Sequence, residues 1–217
     1  MVCLCVLFFG YFYPPTRAVF LLLVSAPFYH DKNPNFNNFG LYGFIGDFGS
    51  GKTYAMTAEI ERLRKRYKGN CYIFTNYGYK HQTAPFCGFE SLCGDFDKPV
   101  IIAIDELQIF FNARDWKNLD DCFIRCVSQC RKGKGKTILY TSPCYAFADT
   151  QVRRMSARVY KMSCLGGRVV TQTGLLRNEA KSIEETSKTA FSFGISKVYL
   201  QKKNIRQLYN SFDYVKE

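Results

Sequence analysis

Eight consecutive residues, Gly46-Asp47-Phe48-Gly49-Ser50-Gly51-Lys52-Thr53, fit the pattern G-x-x-x-x-G-K-[ST]. Glycines in this pattern let the chain fold back so that backbone N–H groups point inward at phosphate oxygens. Lys52 would reach the β and γ phosphates and the Thr53 hydroxyl would hold Mg2+, so the stretch predicts ATP and Mg2+ as ligands. A second pair with chemistry is Asp105 and Glu106, which close the apolar run Val100-Ile101-Ile102-Ala103-Ile104. Asp105 would ligate Mg2+ or accept hydrogen bonds from its waters, and Glu106 would orient and polarise the attacking water. A glutamate at this second position favours hydrolysis machines over small-molecule kinases, which position a second substrate instead.

The elements that must place these residues are legible around them. Leu41 to Ile45 reads as a short buried strand, and Met56, Ile60, Leu63 and Tyr67 recur at helical spacing, so the loop sits between strand and helix as its chemistry requires. That helix is expected to run to about Lys68 and stop at Gly69-Asn70. Cys71 to Thr75 is a second predicted strand, and Asn76 to Asp97 reads as loops and short pieces. An uninterrupted apolar strand ending in two carboxylates belongs in the centre of a parallel sheet, whose C-terminal edge is where α/β proteins bind ligands. Trp116 to Cys130 follows as a helix with Phe123, Cys126, Val127 and Cys130 on one face. Arg131-Lys132-Gly133-Lys134-Gly135-Lys136 is then a basic turn that is either solvated or a phosphate contact, to DNA or to a neighbour's nucleotide. Thr137 to Ser142 is the next buried strand, with Thr141 or Ser142 as the polar tip that could report the γ-phosphate. Asp149 to Ser156 reads as a helix. Ala157 to Leu165 and Arg168 to Thr173 flank Gly166-Gly167 as a hairpin. Leu176 to Thr189 reads as a polar connection, Lys197 to Leu200 as a short strand and Ile205 to Val215 as a closing segment. The fold expected is α/β: a mostly parallel central sheet flanked by helices, with a C-terminal β-hairpin.

The 217 residues, 47% of them hydrophobic, suit one domain with a sizeable core. Their net charge of +12 is uneven: residues 131–217 carry 17 Lys/Arg against 6 Asp/Glu, while residues 41–130 balance at zero. Such a block attracts a polyanion, and beside an ATP site nucleic acid is the favoured one over anionic lipid. The 10 cysteines include no C-x-x-C pair, and His30 and His81 are the only histidines, so zinc is not expected. Free thiols are expected in the reducing compartment that ATP implies. Residues 1–29 carry one charge, Arg17, and two apolar runs, each shorter than the roughly 20 residues that span a bilayer as a helix. They read as a membrane contact, a contact with a partner or virion, or structure packed on the domain. Residues 1–38 are therefore taken as an apolar extension and linker, and 39–217 as the nucleotide-binding domain.

The order of motifs resembles the zonular occludens toxin-like ATPases of the FtsK/HerA class. It is carried by Gly46 to Thr53, Asp105-Glu106-Leu107-Gln108, Phe110 to Arg114, Gln129-Cys130-Arg131 and Tyr209 to Phe212. The resemblance spans residues 40–215, strongest at the two nucleotide motifs. It implies a RecA-like P-loop sheet, a homo-oligomeric ring of six subunits, and ATP-driven movement of viral DNA in packaging or virion assembly. The host cytoplasm is the expected location, with membrane or virion contact read from the apolar residues 1–29. Arg131 would act in trans as an arginine finger, with Arg114 and Arg153 as reserves. Two features depart from the family: the sensor strand ends Thr141-Ser142-Pro143 instead of in Gln, and the apolar stretch is N-terminal. The alternatives are a small P-loop kinase and a membrane-associated assembly scaffold that only binds nucleotide.

Overall fold

The computed structural model describes residues 39–109, 121–148, 150–175 and 196–210. The apolar extension, Phe110 to Arg114, the start of the helix read from Trp116, the connection at 176–189 and the residues after 210 lie outside the described residues. Eight strands form one sheet in the order β3-β2-β4-β5-β1-β6-β7-β8. They are β1 (Gly40–Ile45), β2 (Tyr72–Thr75), β3 (Ala84–Pro85), β4 (Val100–Ile104), β5 (Lys136–Ser142), β6 (Ser156–Leu165), β7 (Val169–Leu175) and β8 (Ser196–Leu200). The strands from β3 through β6 are parallel, and β7 runs antiparallel to both its neighbours. The α-helices among the described residues are α1 (Lys52–Arg66), α2 (Asp121–Ser128), α3 (Thr150–Met155) and α4 (Lys203–Arg206).

Each central strand alternates its side chains between two cores, which is why these strands read as continuous apolar runs. Tyr42, Phe44, Ile101, Ala103 and Leu139 meet Met56, Ile60 and Leu63 of α1 on one face. Leu41, Ile102, Ile104, Ile138 and Tyr140 meet Phe123, Cys126 and Val127 of α2 on the other. Burying each of the Leu, Ile, Val, Phe and Met side chains among them stabilises the fold by roughly 1.5–3 kcal/mol. This is the helix–sheet–helix layering expected of a mostly parallel α/β fold.

The expected hairpin is present, with Leu165 opposite Val169 across Gly166-Gly167. It is no appendage: β6 pairs with β1 from Leu41↔Ser156 to Ile45↔Lys161, so the hairpin extends the main sheet, and β8 adds a further strand. The α2 helix stops at Ser128, so Cys130 lies in the turn after it instead of on its face, though it is buried. All the described cysteines are free. Burial pushes the Cys126 thiol up to about 11.

Candidate active site

The loop from Gly46 to Gly51 links the end of β1 to the first turn of α1, and its shape follows from contacts on both sides. At Gly46 (φ 152) a Cβ would lie 2.5 Å from the Met162 carbonyl oxygen of β6 and 2.8 Å from Ser50 Oγ, so no larger residue fits. The Ser50 N–H donates to the Asp47 carbonyl at 3.1 Å, closing the loop. Ser50 Oγ is buried without a hydrogen-bond partner. Such an orphaned polar group costs about 1–3 kcal/mol unless something fills it, and a phosphate oxygen would. The loop opens onto the N-terminus of the 15-residue α1, where unpaired N–H groups and the helix dipole favour an anion.

Lys52 is 6% exposed. Its Nζ donates to the Gly46 and Asp47 carbonyls at 2.9 and 3.1 Å, curled over the loop it is expected to serve. Phe48 is 86% exposed, with Lys52 Nζ 5.5 Å from its ring centroid.

Asp105 and Glu106 lie just past the end of β4, at the C-terminal edge of the sheet. Strand β5 lies between β4 and β1, with Phe44 in register with Thr141, and this brings the Thr141 hydroxyl to the acids. Thr141 Oγ1 donates to Asp105 Oδ1 at 2.6 Å and accepts from the Glu106 N–H at 2.8 Å. From the other side, Thr53 Oγ1 on α1 lies 3.1 and 3.0 Å from the two Asp105 carboxylate oxygens. Burial raises the Asp105 carboxyl above the usual range, opposed by the hydroxyls of Thr141 and Thr53. The Thr53 hydroxyl and the Asp105 carboxylate are hard oxygen donors within reach of one another, a donor set that fits Mg2+. Glu106 has φ 54, a left-handed conformation that is costly for a residue with a Cβ and that clusters at functional sites.

Of the predicted residues, Lys52, Thr53, Asp105, Glu106 and Thr141 come together with the loop. Ser142 does not join them, because its Oγ donates to the Cys144 carbonyl at 2.8 Å. Arg131 lies elsewhere, in the turn before β5, exposed, with its guanidinium 5.0 Å from the Phe39 ring centroid at the start of β1. The six residues of β1, at roughly 3.3 Å each, separate it from the chain's own phosphate loop. Arg153 on α3 lies 5.6 Å from the Tyr145 ring and donates to Thr150 Oγ1 at 3.1 Å. Arg114 lies outside the described residues.

Two contacts in the site escaped the sequence reading. Asn76, just after β2 and 4% exposed, clamps the backbone of Asp105: its Nδ2 donates to the Asp105 carbonyl at 3.0 Å, and its Oδ1 accepts the Asp105 N–H at 2.7 Å. A polar residue directly after a parallel strand sits at the ligand edge, and that signal would have found it. Gln108 donates from Nε2 to Glu106 Oε2. The C-terminal strands also grip α1: Lys202 N–H donates to the Tyr54 hydroxyl at 2.7 Å, and Tyr199 stacks on Tyr54 with ring centroids 6.1 Å apart.

A parallel sheet with a glycine loop and lysine at its C-terminal edge, and a threonine–aspartate pair beside it, is the fold and site of a P-loop NTPase. Comparison with solved structures agrees. The N-terminal domain of zonular occludens toxin from Neisseria meningitidis matches with TM-score 0.55 and 17% identity, over 79% of this chain and 99% of that one. The genome packaging NTPase B204 from Sulfolobus turreted icosahedral virus 2, in complex with ATP-gammaS, matches with TM-score 0.50 and 14% identity, over 76% of this chain and 98% of that one. The same NTPase in complex with AMP matches with TM-score 0.50 over 76% and 94%. No protein-family model and no curated protein matches the sequence. At these identities the likeness is one of fold, and at that level it bears out the resemblance read from the motifs.

Proposed function

We propose that this chain is an ATP-hydrolysing motor that moves viral DNA, in genome packaging or virion assembly, as a ring of copies of itself. The observation that carries the hydrolytic reading is the convergence of Thr53 and Thr141 on Asp105 beside a phosphate loop with an orphaned Ser50 hydroxyl. B204, whose fold is similar, is a genome packaging NTPase in complex with ATP-gammaS.

In the mechanism, Lys52 leaves the Gly46 and Asp47 carbonyls for the β and γ phosphates. The loop N–H groups and the Ser50 hydroxyl cradle the phosphates. Thr53 and Asp105 would hold Mg2+, which when bound neutralises charge on the β and γ oxygens. Glu106 orients the attacking water and accepts its proton, while Thr141 holds the Asp105 carboxylate and the Glu106 N–H and Asn76 clamps the Asp105 backbone. Charge stabilisation and alignment of this kind are the main sources of rate in phosphoryl transfer.

DNA as the partner is supported by charge. Residues 131–217 carry 17 Lys/Arg against 6 Asp/Glu, and exposed cations such as Lys132, Lys134, Arg168, Lys202 and Lys203 recur among them. The ring is supported by Arg131, whose place at the far edge suits a neighbouring subunit's site better than its own. Contact with membrane or virion through residues 1–29, in the host cytoplasm, completes the reading. No helix among the described residues is long and apolar enough to cross a membrane.

The test is ATP hydrolysis by the full chain, with and without single- and double-stranded DNA, beside Lys52→Ala. The expected result is DNA-stimulated turnover that the variant loses; turnover indifferent to DNA would overturn the motor. Arg131→Ala is expected to bind ATP normally and to lose turnover only in the assembled ring, and a ring of this variant with wild-type turnover would remove the finger.

A further inference from the structure

Gln108 has no part in the mechanism above, yet its surroundings are those of a working group. It lies on the short turn Leu107–Ile109 that follows the acid pair. The Ile109 N–H donates to the Glu106 carbonyl at 2.9 Å, and Leu107 is fully buried, so the turn is pinned to the core and folds the Gln108 side chain back on Glu106. A carboxylate only accepts, so the amide must present its nitrogen to Glu106 Oε2 and turn its oxygen away. That Oε1 is buried and has no partner. Buried acceptors without partners are few in native proteins and each asks for a use.

The neighbouring hydroxyls are placed by other contacts. Thr141 Oγ1 is committed to Asp105 and to the Glu106 N–H, and Ser142 Oγ to the Cys144 carbonyl. Lone pairs remain on both hydroxyls, but their contacts are to Asp105, the Glu106 backbone and Cys144, whereas Gln108 is the side chain in contact with the Glu106 carboxylate that would hold the attacking water. Water bound by Glu106 alone can turn about that single hydrogen bond, so its lone pair is not aimed at phosphorus. A second acceptor removes the freedom, and orientation of this kind is a large part of enzymatic rate.

We propose that Gln108 is a water-positioning residue of this site. Its amide N–H holds the Glu106 carboxylate, and its Oε1 accepts one O–H of the attacking water while Glu106 takes the other. The proposal rests on the ATP-hydrolysing reading. In the step itself the water oxygen bonds to the γ-phosphorus, the bond to the bridging oxygen breaks with its electron pair leaving on ADP, and one water proton passes to Glu106. The amide neither gives nor takes a proton.

The experiment uses the full chain with ATP, ADP and ADP with aluminium fluoride as a transition-state mimic, measuring kcat, KM and the affinity for each of the last two. Wild-type turnover comes first, and its absence would overturn the hydrolytic reading and this proposal with it. For Gln108→Ala the expected kcat is about 10²-fold lower, the low end for a group that steers proton transfer. KM and ADP affinity should stay within about twofold of wild type, and affinity for the fluoride complex should fall in step with kcat. The isosteric Gln108→Glu keeps the packing but repels Glu106, and is expected to be as slow. Gln108→His retains a donor and an acceptor and should recover part of the rate. The proposal is overturned if Gln108→Ala turns over within about threefold of wild type or faster. It is also overturned if the variant loses ADP and fluoride-complex affinity equally, since a merely structural residue would move both.

Discussion

Two buried lysines at opposite edges of the same sheet look alike by every local measure. Lys52 is 6% exposed, donates to two backbone carbonyls and has a phenyl ring 5.5 Å away; Lys136 is 7% exposed, donates to the Leu92 and Gly94 carbonyls at 2.9 and 2.7 Å, and has the Phe96 ring at 5.4 Å. Their settings differ. Around Lys52 the loop exposes N–H groups at a helix N-terminus, an orphaned Ser50 hydroxyl and the Asp105 cluster, so its hydrogen bonds to the loop can be exchanged for a phosphate. Lys136 opens β5 at the other edge and ties it to the Glu90–Leu92 turn, so its bonds are an end in themselves. Burial and hydrogen bonding do not tell a functional cation from a structural one; what lies beyond its present partners does.

Substitutions at and around the two lysines test this difference. The largest effect is expected from Lys52→Ala, which should lower ATP turnover by about 10³-fold or more while shifting stability by under about 1 kcal/mol, because water can replace the lysine on the loop carbonyls. Steady-state ATPase assays and thermal melts on one preparation would show it, and a large loss of stability would put Lys52 in the structural class. Next comes Glu106→Gln, expected to bind ATP with near-normal affinity and to turn over about 10²-fold slower or worse; unchanged turnover would move the water-aligning role elsewhere.

Lys136→Ala should do the reverse of Lys52→Ala. It takes a charged donor from the Leu92 and Gly94 carbonyls and is expected to cost about 2–3 kcal/mol of stability, with turnover of the folded fraction within a few-fold of wild type. Denaturant titration beside the activity assay separates the two quantities. The smallest effect sharpens the picture at the nucleotide helix: Tyr54→Phe removes the acceptor for the Lys202 N–H and should cost about 1 kcal/mol, read as a lower melting temperature.

Much of this could be read from the chain alone. The phosphate loop, the acid pair, β1, α1 and the hairpin are local objects: each is specified by residues within one or two turns or strands of one another, and the periodicities of 3.6 and 2 report which face each element buries. The basic block after residue 130 was legible for the same reason, since charge adds along a sequence. Contacts between distant residues are written in no single stretch of the chain. Arg131 to Lys136 read as a single basic turn, but the fold buries Lys136 under the 92–94 carbonyls and leaves Arg131, Lys132 and Lys134 exposed. Gly43 reads as one more strand residue until Tyr140 of the neighbouring strand is seen to lie where its Cβ would be, 2.4 Å from the ring. Asn76 read as the start of a loop because its partner, the Asp105 backbone, is 29 positions away.

The sequence by itself thus determined which chemistry the chain carries, because phosphate binding and metal ligation need particular groups at short, fixed spacings. Only the tertiary structure decided which of two candidate tips of β5 meets the acids, which lysine is free to move, and that Gln108 turns back on Glu106 with its oxygen unspent. Those outcomes depend on strand order and register. They are set by the packing of the two cores across the sheet, a sum over many distant contacts that no single stretch of sequence contains.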